Sequence, residues 1–145
     1  MEQKLDEIKF LRCLVEPGAT VVDIGANYGV YALSLARRVG ASGHVWAFEP
    51  SSETARLLNE SVIKNEVKWM SVEQKGLSDR DRMAWLQTTG HAELSSLSAD
   101  DFDANALELE RGEPVHVTTL DHCLEIYDWR KIDFLKIDAE GEEEK

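Results

Sequence analysis

The fold is decided by the stretch Val22-Asp23-Ile24-Gly25-Ala26-Asn27-Tyr28-Gly29. Its first residues belong to a short run rich in β-branched side chains, Thr20–Ile24, which is typical of a strand buried on both faces. Val30–Val39 then shows helical spacing of apolar residues and ends before Gly40. Because glycine tolerates a sharp strand-to-helix turn, the stretch predicts a connection whose backbone N–H groups face a ligand at a helix N-terminus.

Strand and helix patterns alternate along the rest of the chain. Residues 1–16 predict an N-terminal helix, 52–64 a helix capped by Ser51 or Ser52, and 44–48, 67–74, 82–87, 115–120 and 132–137 predict strands. This alternation predicts parallel βαβ units, and therefore one α/β domain over residues 1–145 with a mostly parallel sheet. Residues 88–114 are polar and acidic and break the pattern, which indicates a long loop or insertion.

Composition argues against several classes of partner. The net charge is -12, whereas nucleic-acid and anionic-membrane binding require an excess of Lys and Arg. No apolar run approaches the roughly 20 residues that cross a bilayer, and the charged N-terminus does not resemble a signal peptide. We therefore expect a cytoplasmic protein that binds neither nucleic acid nor membrane.

An acidic residue follows the glycine turn at an informative distance. Glu49 ends the second predicted strand, some twenty residues beyond Gly29, where a carboxylate reaches two vicinal ribose hydroxyls. A pyrophosphate site requires glycine at the middle position of G-x-G-x-x-G, but this chain has Asn27 there. S-adenosyl-L-methionine, which has a ribose but no pyrophosphate, fits better. The alternative is that Glu49 is merely a solvated residue before a helix.

Two further side chains suit the methionine end of that ligand. Asp23 ends the first strand and could hold the ligand's ammonium group directly or through water, or instead accept from N–H groups of the turn. Tyr28 could offer its ring face to the sulfonium cation, or simply pack as part of the wall.

Several segments together resemble a known family. Besides the glycine turn they are Phe48-Glu49-Pro50, Gly76-Leu77-Ser78-Asp79, Ser95-Ser96-Leu97, Thr119-Leu120-Asp121 and Asp133-Phe134-Leu135-Lys136-Ile137-Asp138-Ala139-Glu140-Gly141. In this order they resemble FkbM-type methyltransferases, class I enzymes that mostly methylate hydroxyls of small molecules or sugars. The resemblance implies a Rossmann-like class I methyltransferase fold. Because that family continues beyond this point, it also implies a sheet truncated after the fourth core strand.

The resemblance also implies roles for individual positions. The residues expected at the methionine portion of the cofactor are Asp23, Gly25, Asn27 and Gly29. Glu49 is expected at the ribose, and Gly76, Leu77 and Ser78 are expected near the adenine. Asp138 and Glu140 are expected to face the methyl group and the acceptor.

For a hydroxyl acceptor, a carboxylate that removes the proton would assist methyl transfer. Asp138 is the first candidate and Glu140 the second, although both could instead stabilise the start of a following helix. They could also share a divalent ion, but no His or third carboxylate has fitting spacing, so we predict no metal site.

The predicted activity is O-methylation of a small-molecule or sugar hydroxyl. The alternatives are an NAD-dependent oxidoreductase and a non-catalytic nucleoside-binding fragment. Ending after a central strand would leave an apolar edge exposed. We therefore expect a chain that is marginally stable, aggregation-prone or dimeric, with any homodimer formed through that edge.

Overall fold

The computed structural model describes residues 2–87, 96–98 and 112–138. Its strands are β1 (Thr20–Ile24), β2 (His44–Phe48), β3 (Met70–Glu73), β4 (Gly76–Leu77), β5 (Arg82–Gln87), β6 (Ser96–Ser98), β7 (Glu113–Thr118) and β8 (Phe134–Ile137). Its helices are α1 (Glu2–Leu14), α2 (Val30–Val39), α3 (Ser52–Lys64) and α4 (Leu120–Ile126).

One sheet is parallel throughout and has the strand order β3-β2-β1-β8. The chain moves outward from β1 to β3 and then returns to the other side of β1, so the order reverses at β1. In open α/β sheets, ligands bind at the carboxyl ends of strands beside such a reversal. The Rossmann-like α/β fold predicted from the sequence is therefore confirmed. The candidate ligand site lies at the carboxyl ends of β1, β2 and β8.

Both faces of the parallel sheet are covered. On one face, the buried side chains of β1 and β2 pack against α2 and α3, and Leu11 of α1 joins them. On the other face, a second cluster contains Val22, Ile24 and Phe48 and is covered by α4 and the residues around it. Strands buried on both sides read as continuous apolar runs, which explains why β1 and β2 could be predicted to the residue.

Asp133 fastens β8 to β1 at the amino end of the sheet. Its Oδ2 accepts a hydrogen bond from the Thr20 N–H at 2.8 Å, and its Oδ1 lies 2.7 Å from the Lys131 ammonium. The Asp133 N–H donates in turn to the Thr20 carbonyl. Burial on β8 is lower than on β1, and Leu135 and Ile137 are exposed at the edge of the described sheet. Self-association through this edge stays a prediction.

A second four-stranded sheet, which was not predicted from the sequence, accompanies the parallel one. Its order is β4-β7-β5-β6, and only the β4–β7 pair is parallel. Within the stretch 88–114, where we predicted a loop or insertion, Ser96–Ser98 pairs with β5 and β7 begins at Glu113. Strand β7 overlaps the predicted extended segment 115–120 and buries Val115 and Val117, whereas Ser96–Ser98 is polar and is a strand through its pairing with β5. The remaining residues of that stretch lie outside the described part of the chain.

Two other elements differ from the sequence-based expectation. Strand β3 begins at Met70 instead of residue 67, because Glu66 has a φ of 55° and starts a turn that closes α3. The short helix α4 was not predicted at all, although Thr119 caps it by accepting from the His122 N–H at 3.1 Å. Among the described helices, none is long and apolar enough to cross a membrane.

Gly29 is required by the packing of the strand-to-helix turn. Its φ is 79°, and an added Cβ would overlap Cδ1 of Leu58, whose side chain is fully buried. We expect Gly29→Ala to lower the free energy of unfolding by about 2 kcal/mol or more, since backbone strain and overpacking add. Gly18→Ala is the matched control, because Gly18 has a φ of 84° but an added Cβ meets only atoms of Ser42, at 3.4 Å or more. Equal losses in urea denaturation of the two variants would contradict the packing argument.

Candidate functional site

The glycine turn between β1 and α2 is closed by its own hydrogen bonds. The N–H groups of Gly25 and Ala26 both donate to the Phe48 carbonyl, at 3.0 and 2.9 Å, and the Gly29 N–H donates to the Ala26 carbonyl at 2.8 Å. The turn is thereby tied to the end of β2. These donors do not face a ligand, contrary to the sequence-based expectation.

Asn27 and Tyr28 complete this pattern. Asn27 has a φ of 52°, a conformation that Asn tolerates better than most residues, and its side-chain Oδ1 accepts from the Tyr28 N–H at 2.8 Å. The Asn27 N–H donates to Oε2 of Glu49 at 2.9 Å. All five backbone donors of residues 25–29 therefore have partners within the protein, and none is free to bind a phosphate.

Glu49 is the buried carboxylate at the end of β2. Its side chain is far from solvated, since the residue is only 8% exposed, and its Oε1 accepts from the Ser51 N–H at 2.9 Å. Burial raises the pKa of this carboxyl, and the N–H groups of Ser51 and Asn27 oppose that rise. Each carboxylate oxygen has a second lone pair beyond the one already used. Glu49 can therefore hold the turn and still accept hydrogen bonds from a ligand.

Glu113, at the start of β7, brings a second carboxylate to the same corner. Its two oxygens lie 3.0 and 3.3 Å from the Ser52 N–H at the beginning of α3. Its negative charge also contributes to the raised pKa of Glu49. The positive end of the α3 dipole is thus already occupied by a carboxylate from this chain. Glu113 was not predicted from the sequence, because nothing in the local pattern ties β7 to α3.

Asp23 is fully buried and forms an ion pair with Lys136. The two residues are register partners on β1 and β8, and the lysine Nζ lies 3.1 Å from Oδ1 of Asp23. Burial raises the pKa of Asp23, and the charge and hydrogen bond of Lys136 oppose that rise. Among the described residues, Oδ2 of Asp23 has no hydrogen-bond partner. Neither of the two roles considered from the sequence had included this lysine.

The Lys136 ammonium lies between several groups. Its Nζ is 3.6 Å from Oδ2 of Asp138 and 5.0 Å from the centre of the Tyr31 ring on α2, and its side chain is 14% exposed. Tyr31 is fixed in turn by Glu7 of α1, which accepts from the tyrosine hydroxyl at 2.6 Å and raises its pKa to about 12. The result is a contiguous charged cluster under the first turn of α2.

The polar residues of the segment 133–138 all contact β1. Asp133 binds Thr20, Lys136 binds Asp23, and the Asp138 N–H donates to the Ile24 carbonyl at 2.9 Å. The sequence did contain a signal for Lys136, because lysine is rarely buried without a partner and here it interrupts the apolar run Phe134–Ile137. Asp138 itself follows β8 and is exposed, at the same edge of the sheet as Glu49.

The residues predicted near the adenine, Gly76, Leu77 and Ser78, lie in or directly after β4, beside the end of β7. Gly76 and Leu77 form β4, and Leu77 packs with Ile24 and Phe48 beneath the ends of β1 and β2. The Ser78 N–H donates to the Thr118 carbonyl, so it holds β4 against β7. Contact of these three residues with an adenine stays a prediction.

Tyr28 is 49% exposed on the turn, where its ring is accessible to a ligand. Glu140 lies outside the described residues. Over the ranges that the structure describes, no group of three or more His, Cys, Asp and Glu side chains is arranged as metal ligands.

The parallel sheet, its reversal beside β1 and the carboxylate after β2 define a Rossmann-like α/β domain. The family can be named from sequence: the model of the methyltransferase FkbM domain matches residues 23–145. The chain belongs to this family, as the sequence resemblance implied. No protein of curated function matches the chain.

Some solved structures that the chain partly matches are also methyltransferases. An S-adenosylmethionine-dependent O-methyltransferase from Thermotoga maritima is 28% identical, with 48% of this chain and 27% of that one covered and a TM-score of 0.45. A methyltransferase of the same cofactor from Aquifex aeolicus is 31% identical, covering 46% and 36%, with a TM-score of 0.43. An rRNA methylase from Streptococcus thermophilus is 20% identical, covering 48% and 40%, with a TM-score of 0.43. The match thus spans well under half the length of each.

Proposed function

We propose that this domain binds S-adenosyl-L-methionine and belongs to an enzyme that transfers its methyl group to a hydroxyl of a small molecule or sugar. The observation that carries the proposal is the Glu49 carboxylate, buried at the end of β2 with one lone pair left on each oxygen. Vicinal ribose hydroxyls are a matching pair of donors. Membership of the FkbM family supports the same cofactor.

The electrostatics of this corner favour a ligand without phosphate. A pyrophosphate or a 2′-phosphate requires free N–H groups or cations. Here the donors of residues 25–29 are used internally, and the carboxylates of Glu49 and Glu113 lie where a phosphate would approach. This arrangement supports a nucleoside cofactor over NAD, and it gives a physical reason for Asn27 at the middle position of the turn.

The methionine end of the cofactor would lie over the turn. Tyr28 offers an exposed ring to the sulfonium group, and Gly25, Asn27 and Gly29 set the path of the backbone there. The bound cofactor supplies an electrophilic methyl group. The residues of this chain orient it and exclude water from it.

Asp138 is the first candidate for the group that takes the acceptor proton, and Glu140 is the second. The Asp138 main chain is fixed to β1 through the Ile24 carbonyl, while its side chain is 60% exposed and can meet an acceptor. A carboxylate so placed would accept a proton from a hydroxyl as the new bond forms. The proposal assigns no metal to this step. The net charge of -12 supports an acceptor that is not a nucleic acid.

Calorimetric titration of the chain with S-adenosylhomocysteine and with NADH tests the cofactor. We expect the first to bind and the second not to bind. Binding of NADH alone would favour an oxidoreductase. If S-adenosylhomocysteine binds but the complete protein transfers no radioactive methyl group to any hydroxyl acceptor, a non-catalytic binding role would replace the proposal.

We expect Asp138→Asn to slow methyl transfer by about 100- to 10,000-fold, the usual contribution of a general base. Because Asp138 acts on the acceptor, the variant should lower the transfer rate far more than the affinity for S-adenosylhomocysteine, to which Asp138 contributes only through its contact with Lys136. Asp128→Asn is the matched control, since Asp128 is exposed beyond α4 and has a φ of 51°, which Asn also accepts. Transfer rates of both variants are measured with radioactive cofactor, and an unchanged rate for Asp138→Asn would remove it from the mechanism.

A further inference from the structure

Lys136 is the only described cation that contacts both Asp23 and Asp138. It reaches them from β8, where it lies between Leu135 and Ile137 in the sequence. A lysine in such a strand is costly to bury unless it is paired. Because Lys136 pairs with both Asp23 and Asp138, we expect its role to involve both carboxylates.

We propose that Lys136 is a positioning residue for the amino-acid end of the cofactor: it bridges Asp23 and Asp138 and so keeps a fully buried carboxylate negatively charged for the ligand's ammonium group. This inference rests on the proposed function and deepens it. One oxygen of Asp23 binds the lysine, and the other has no partner among the described residues. That free oxygen, next to the glycine turn, is the acceptor offered to the ligand, directly or through a water molecule.

The aromatic contact keeps Lys136 in place. The Tyr31 ring covers the ammonium from the α2 side, and the Tyr31 hydroxyl is fixed by Glu7. A cation held over a ring face and paired with carboxylates has little freedom to turn towards solvent. Helix α1 thus contributes to the site through Glu7, although it supplies no ligand-binding residue itself.

Removing the lysine should change the ionisation of Asp23. Burial then acts on this carboxyl without its main opposing charge, so its pKa rises further. The other charged or titratable groups that act on Asp23 are Asp138 after β8, Tyr31 on α2 and Glu49 after β2. None of these is a cation, so none can replace Lys136.

The test compares the affinities for two ligands by calorimetry over about three pH units around neutrality, from roughly 5.5 to 8.5. S-adenosylhomocysteine has the amino-acid end, and 5′-methylthioadenosine lacks it. The wild-type chain should prefer the first ligand at every pH. In Lys136→Met the preference should fall by about tenfold or more at low pH and recover as the pH rises and Asp23 ionises. The affinity for 5′-methylthioadenosine should not change.

Three variants make the result specific. Asp23→Asn should lose the same preference with no recovery at high pH, and Lys136→Arg should retain it. Lys131→Met is the matched control, because Lys131 also pairs with an aspartate beside β8 but is exposed at the opposite end. Should Lys136→Met not fold, Asp23→Asn and Lys136→Arg still decide the matter.

The outcomes separate the two claims. If the wild-type chain binds neither ligand, the proposed function fails. If it binds S-adenosylhomocysteine but Lys136→Met keeps the wild-type preference, the role of Lys136 is refuted. A loss that affects both ligands equally, or that does not depend on pH, also contradicts it, because it would indicate a purely structural role.

Discussion

Replacing Glu49 with alanine is expected to lower the affinity for S-adenosylhomocysteine by about 3 kcal/mol, roughly a hundredfold, if each ribose hydroxyl bonds to the charged carboxylate. The same change removes the acceptors of the Asn27 and Ser51 N–H groups. Because those groups are partly buried, we also expect the free energy of unfolding to fall by about 2 kcal/mol. Calorimetry and urea denaturation measure the two effects separately.

Glu49 contributes both to ligand affinity and to the stability of the turn, so a variant is needed that separates the two effects. Glu49→Gln keeps one carbonyl oxygen and the shape of the side chain, so it should preserve more of the stability than of the affinity. Glu53→Ala is the control, because Glu53 lies nearby in the first turn of α3 but is exposed. An alanine variant at position 49 that binds as tightly as the wild type would remove the ribose from the assignment, whatever its stability.

A ligand lacking one ribose hydroxyl gives a further check. The wild-type chain should bind S-adenosylhomocysteine more tightly than its 2′-deoxyribose analogue, and Glu49→Gln should reduce that difference. Loss of the turn alone would weaken both ligands to the same extent. The difference between the ligands therefore reports on the carboxylate itself.

The elements that the sequence predicted correctly are those whose residues are set by local pattern and burial. Strands β1 and β2 are continuous apolar runs that pack on both faces, and α2 and α3 have apolar stripes, α2 ending at Gly40 and α3 starting after the Ser51 cap. Glu49 could be predicted because its distance from the glycine turn is fixed by one βα unit. These features require information from only about thirty residues of chain.

What could not be predicted depends on contacts between distant parts of the chain. The second sheet brings β7 against β4 and β5, and β6 is a strand only because β5 is next to it. The same is true of the Asp23–Lys136 pair, whose members are 113 residues apart. No local pattern shows that one lysine in the last strand neutralises one aspartate in the first.

The internal closure of the glycine turn is a similar case. The sequence shows that residues 25–29 can turn sharply, but it does not show which acceptors their N–H groups use. Those acceptors are the Phe48 carbonyl, the Glu49 carboxylate and atoms of the turn itself. The choice of acceptors bears directly on function, since free donors would suit a phosphate and occupied ones do not.

Breaking the Asp23–Lys136 pair is expected to have the largest effect on stability. Lys136→Met leaves a fully buried carboxylate without its counter-ion, which costs about 3–5 kcal/mol. The double variant Asp23→Asn with Lys136→Met removes both charges and should recover a large part of this loss. Urea denaturation of the wild type, the two single variants and the double variant gives the coupling free energy.

The pH dependence of this loss has a definite sign. Without Lys136, the pKa of Asp23 in the folded chain lies further above its ordinary value of 3.8, so the folded state then prefers the protonated form more strongly than the unfolded state does. Such a group costs stability increasingly as the pH rises above 3.8, the cost is complete above the folded pKa, and it disappears as the pH falls back towards 3.8. The deficit of Lys136→Met should therefore be greatest at neutral pH and shrink on acidification, whereas the deficit of the double variant should not change in this way. If the two deficits follow the same pH profile, the ionised Asp23 is not what Lys136 stabilises.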